Sequence, residues 1–146
     1  MISYFVMISQ KKLREAILLF VYLHEMGGDV SSDECYQLIM RELEISKVNL
    51  MFAMEKALKV IELISDIDNK IKKVSKEYDI ERISKVDISI LRLAFFERFE
   101  QGFDVGIVIQ EAIRLAKKFS TTSSSTYVHA IIDEANKDIN LQVTIV

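Results

Sequence analysis

Proline is absent from this 146-residue chain and glycine occurs only four times. With the two strongest helix breakers nearly missing, mostly helical structure is the first expectation. Cysteine is scarce as well: Cys35 stands alone, which excludes an internal disulfide and a cysteine metal cluster and suits a reducing compartment. The two histidines, His24 and His129, lie far apart and in neither HxxH nor HExxH spacing, so both are read as ordinary helix residues and no metal site is expected. There is no glycine-rich loop to cradle a phosphate. Asp66 and Asp68, two apart, do not share a helix face and are read as a capped, solvated helix start rather than an acid–base pair. The longest unbroken apolar run, Ala16 to Leu23, is too short to span a bilayer. The opening MISYFVMIS lacks basic residues ahead of its apolar part and makes a poor signal peptide. Positive charge is not in excess either. The formal net charge is −3, so a nucleic-acid site has to be a local patch.

What is present is a globular composition, 50% hydrophobic and 28% charged, in a chain of single-domain length. Residues 1–8 read as an N-terminal extension, with Met7 an alternative start, and 138–146 as a C-terminal tail. Ser9 can cap a first helix through His24 to Met26 that is apolar almost all round, hence central or covered. Gly27-Gly28 stops it. Ser31-Ser32-Asp33 opens a second helix to about Leu43. Ser46 opens a third, with Leu50, Ala53, Met54, Ala57, Leu58, Ile61 and Ile64 on one face. Asp66 starts a fourth, and a turn near Tyr78-Asp79 follows. The next helix carries Ile90, Leu91, Leu93, Ala94 and Phe95 and ends at Gly102. Asp104 caps another, and the last shows Val128, Ile131, Ile132 and Ala135. Met51, Met54, Phe95, Phe96 and Phe99 are read as core. The pattern predicts an all-α domain of about seven helices with short connections.

Three features carry polar chemistry. Lys11, Lys12 and Arg14 sit at the N-terminal end of the first helix, where the dipole does not favour cations, so a ligand can be their reason; a solvated helix end is the alternative. Lys117 and Lys118 sit at a helix C-terminus, where the dipole alone explains them. The third is Ser120 to Thr126, STTSSST, followed by Tyr127. Its plain reading is a turn with Ser123 or Ser124 capping the last helix. Its functional reading adds phosphate contacts from hydroxyls and amides, with Tyr127 offering a ring for base stacking.

The stretch ISKVDISILRLAFFE (83–97) resembles the L-x-x-V-D-x-x-I-L-R-L-A-x-x-E core of the NusB family of bacterial transcription antitermination factors. VIQEAIRLAKKF (108–119) resembles that family's A-I-N-E-A-[IV]-E-L-A-K-K-F. STTSSSTYVHAIID (120–133) is similar to G-x-x-x-S-x-K-F-V-N-G-[VI]-L-D, and KKLREAILLFVY (11–22) to R-x-x-A-R-E-x-A-L-Q-x-L-Y. The likeness is collinear over about residues 10–135. It implies one domain over 1–146 made of two packed helical bundles. It implies binding of boxA-type single-stranded RNA together with the small-subunit ribosomal protein NusE, acting indirectly on transcribing RNA polymerase in the cytoplasm. It implies neither catalysis nor a cofactor. Carried over by position, the RNA-binding residues are Lys11, Lys12, Arg14, Tyr22, Lys118, Ser123, Ser124, Ser125, Thr126 and Tyr127, and the partner-binding residues are Asp87 and Arg92. The chain departs from the pattern in its shorter basic start, in Thr126 where the family has lysine, in His129-Ala130 for Asn-Gly, in Gly106 for lysine, and in the missing proline. Each lost cation removes a phosphate contact. The alternative is a helical protein-interaction module with little RNA affinity, forming a homodimer or holding another partner.

Overall fold

The computed structural model describes residues 9–75 and 80–138. Seven α-helices stand among them: α1 Gln10–Glu25, α2 Asp33–Leu43, α3 Lys47–Glu62, α4 Ile64–Val74, α5 Lys85–Phe95, α6 Val105–Phe119 and α7 Thr122–Lys137. No strand occurs among the described residues, and the all-α expectation holds. The N-terminal extension, the turn near Tyr78-Asp79 and most of the C-terminal tail lie outside the described residues. The chain divides into two compact units, the first ending at Glu62 and the second starting at Leu63.

In the first unit α1 packs mainly on α3, and α2 packs on both. Ser9 accepts a hydrogen bond from the Lys12 amide at 3.1 Å, as its position predicts, and Gly27 takes a left-handed φ of +87° where α1 stops. Ala16, Ile17, Leu18, Phe20 and Val21 are buried. Ser32 caps α2 through the Cys35 amide, and Ser46 accepts from the Asn49 amide at the start of α3. The Phe20 ring meets Tyr36 edge-on with centroids 6.4 Å apart, and the Tyr36 hydroxyl reaches the Met54 sulfur at 3.1 Å. The buried stripe of α3 is Leu50, Ala53, Met54, Ala57 and Val60. Met51 and Leu58, both expected in the core, are each 40% exposed. They lie one helical step off the stripe, so the apolar arc in the sequence is wider than the face that is covered.

In the second unit α6 and α7 pack most extensively, α5 lies against both, and α4 lies against α5 and α7. Helix α4 starts at Ile64 without a side-chain cap, so Asp66 is not the cap expected of it but a first-turn acid, where its charge complements the helix dipole. Every residue of α5 from Asp87 to Phe95 is buried. The helix expected to run to Gly102 changes at Phe96 into a five-residue π-helical segment, Phe96–Glu100. Gly102 then turns the chain with φ +70°. Asp104 caps α6 through the Gly106 amide at 3.0 Å. Val128, Ile131, Ile132 and Ala135 are buried on α7 as their spacing predicts.

Candidate nucleic-acid interface

The hydroxyl run bridges the end of α6 and the start of α7. Ser120 closes α6, its amide bonding the Ala116 carbonyl at 2.8 Å. The cap of α7 is Thr121, not Ser123 or Ser124: its hydroxyl oxygen accepts the Ser124 amide at 3.0 Å. The helix therefore begins at Thr122, which lifts most of the run out of the loop and onto a helix with its own inward and outward sides. Ser124 and Ser125 point inward and are buried; Thr122, Ser123 and Thr126 are exposed. Ser124 donates to an Asp87 carboxylate oxygen at 2.7 Å, and Ser125 donates to the Thr122 carbonyl at 2.6 Å.

Asp87 enters this arrangement from the first turn of α5, where Ser84 caps the helix by accepting the Asp87 amide at 3.1 Å. The residue is 8% exposed, and its second carboxylate oxygen, Oδ1, is buried with no hydrogen-bond partner. Asp87, Ser84, Ile83, Arg82 and Tyr127 line a hollow of about 190 Å³. That is below the roughly 300–1,000 Å³ of pockets that hold whole ligands, so it is sized for one side chain or one planar group. Tyr127 is half-buried at this wall, and its hydroxyl lies 3.2 Å from that of Ser75 at the end of α4. Arg82, unmarked by any sequence pattern, is the exposed cation of the hollow. Lys117 and Lys118 are exposed at the end of α6, the Lys118 ammonium 5.5 Å from the centre of the Phe119 ring.

Arg92 follows another course. Only 6% exposed, it forms a two-pronged pair with Asp68 of α4, both N–O distances being 2.9 Å. Asp68 is thus not the solvated acid its position beside Asp66 suggests. The sequence gives no sign of this pair, because the two residues are 24 positions apart and meet only through the packing of α4 on α5.

The other basic group is on α1. Lys11 is exposed, while Lys12, Arg14 and Tyr22 are half-buried. The first turn of α1 contains no acidic residue. Lys11 and Tyr22 are eleven positions apart, close to three full turns, which puts them on one side of the helix about 16 Å apart along its axis. His24 and His129 are exposed helix residues. Cys35 is buried, and that burial raises its thiol pKa, with the Asp29 charge adding to the effect.

Residues 11–137 match the family model of the NusB family. The chain is 32% identical over 133 residues to the transcription antitermination protein NusB of Wolinella succinogenes, covering 91% of this chain and 98% of that one. It is 30% identical to the protein of the same name from a Nitratiruptor species, covering 91% and 95%. Among solved structures, T. maritima NusB superposes with a TM-score of 0.72 at 27% identity, covering 90% of this chain and 92% of that chain. A chain in the crystal structure of a plectonemic RNA supercoil shares the fold, with a TM-score of 0.76 at 23% identity over 88% of this chain and 94% of that one.

Proposed function

The chain belongs to the NusB family, and from that membership we propose that it is a transcription antitermination factor that binds boxA-type single-stranded RNA together with NusE. It works in the cytoplasm by binding rather than by catalysis, and it supports ribosomal RNA synthesis through the transcribing polymerase. The observation that carries the RNA reading is the start of α7. There, exposed hydroxyls on Thr122, Ser123 and Thr126 stand at a helix N-terminus, Tyr127 stands beside them, and the exposed Lys118 lies in the last turn of the preceding helix. Hydroxyls, first-turn amides and a lysine suit phosphate oxygens, and an aromatic ring suits an unstacked base. Lys11, Lys12, Arg14 and Tyr22 supply a second patch of the same chemistry on α1. Ser124 and Ser125, being buried, serve the RNA by holding their neighbours in place. Helix α5, with Asp87 in its first turn and Arg92 in its middle, is the element assigned to NusE. Arg92 is paired with Asp68 inside the chain, and Asp87 is held there by Ser124 through one of its two oxygens, so both shape that surface more than they touch the partner. Loss of NusE co-elution in Asp87→Lys would support this assignment, and unchanged co-elution would remove Asp87 from it.

The test is a salt-dependent titration of a boxA-type oligonucleotide, with and without NusE. With three or four phosphates neutralised, log K is expected to fall with log salt at a slope of about −2 to −3. NusE should raise the affinity. A second reading, the interaction module with little RNA affinity, has an observation of its own. Val48, Met51, Phe52 and Leu58 are exposed along α3, an apolar surface of the kind that marks protein contacts. Salt-independent or absent RNA binding would favour it.

A further inference from the structure

The polar cluster at the start of α7 has one consistent order of protons. The Asp87 carboxylate can only accept, so Ser124 donates the 2.7 Å bond between them. That uses the single Ser124 hydroxyl proton. The contacts of Ser124 with Ser120 at 2.9 Å and Thr121 at 3.0 Å must then be donated to it. Thr121 in turn accepts the Ser124 amide, and Ser125 donates to the Thr122 carbonyl. The hydroxyl protons of Ser120, Thr121, Ser124 and Ser125 are thereby all committed within the chain. Three of these four form a converging set whose terminus is one buried carboxylate on a different helix.

We infer that Asp87 and Ser124 are positioning residues for RNA, a pair that fixes the first turn of α7 against α5. The inference rests on the RNA-binding reading above. With the inward hydroxyls held in one arrangement, Thr122, Ser123 and Thr126 are left on the outer side, and Tyr127 is kept at the wall of the hollow it shares with Asp87. A turn ordered in advance loses less conformational freedom when a strand binds, and affinity gains by that difference. The acid therefore aids a polyanion that its charge alone would repel.

A double-mutant cycle on the full chain, read as affinity for a boxA-type oligonucleotide, tests the pair. Ser124→Ala and Asp87→Ala should each weaken binding about fivefold, and together also about fivefold, because both break one interaction. Asp87→Asn keeps an acceptor for Ser124 and should recover much of the loss. The salt slope should stay that of the parent, since neither residue neutralises a phosphate. Hydrogen exchange should quicken at the Ser124 and Ser125 amides in both Ala variants, with the later turns of α7 unchanged. If Asp87→Ala fails to keep the helical circular dichroism of the parent, Ser120→Ala takes its place, with a smaller loss expected that is likewise absorbed by Ser124→Ala. Tighter binding by Asp87→Ala and Asp87→Asn alike would show that charge acts rather than placement and would overturn the inference. Losses that multiply, or no loss at all, would overturn it too, leaving the RNA reading intact because the parent binds. No RNA binding by the parent would overturn both.

Discussion

Arg92 brings a positive charge into a helix that is buried from Asp87 to Phe95, and Asp68 answers it by accepting two hydrogen bonds of 2.9 Å. Two parallel N–H donors facing two carboxylate oxygens is the arrangement a guanidinium fits best. Asp68 and Asp66 are two positions apart on α4, yet only Asp68 faces α5, so the two acids should behave differently. Asp68→Ala is expected to cost about 3 kcal/mol, near the lower end for breaking a buried pair because Asp68 retains some exposure. Asp66→Ala should cost about 0.5 kcal/mol, the worth of one exposed acid in a first turn. Urea unfolding of the two variants checks this, and equal costs would place Arg92's main support elsewhere.

At the scale of the element, helix ends are where short side chains matter most. Thr121 satisfies an amide that α7 cannot satisfy for itself, so Thr121→Ala should cost about 1 kcal/mol. Ser123, exposed two residues on and not the cap, should tolerate alanine within about 0.5 kcal/mol. The reverse ranking in chemical denaturation would return the cap to Ser123. Helix α2 ends differently. Glu44 closes it in the left-handed conformation, φ 52° and ψ 48°, the position where glycine is preferred. A side chain with a Cβ is strained there, so Glu44→Gly should stabilise the chain by about 0.5–1 kcal/mol despite the looser unfolded state. A lowered thermal midpoint would contradict that strain.

For the whole molecule, a net charge of −3 leaves the proposed RNA affinity to local patches, whose two proposed kinds of contact are separable. Lys12→Ala should flatten the salt slope by about 0.7, one phosphate's share on a single strand. Tyr127→Ala should leave the slope alone and cost about 1–3 kcal/mol if its ring stacks on a base. Fluorescence anisotropy over a range of salt reads both, and a slope unmoved by Lys12→Ala would take that lysine out of the phosphate contacts.

Composition and period alone determined much of this protein. The missing prolines, the capping serines Ser9, Ser32 and Ser46 with Asp104, and the buried positions of α7 all act within a few residues of themselves, and local rules read them correctly. The collinear motifs made the family legible as well. Only the tertiary structure decided that Asp68 belongs to Arg92, that Ser124 turns inward to Asp87 while Ser123 faces out, and that Met51 stays exposed. A helical period says which residues share a side, but not which side a neighbour covers. In a row of seven near-identical hydroxyl residues it also leaves open where the helix begins. That start fixes the rotation of every residue after it, and it was set by the packing of α7 against α6 and α5, through Thr121 as the cap and Asp87 as the buried acceptor.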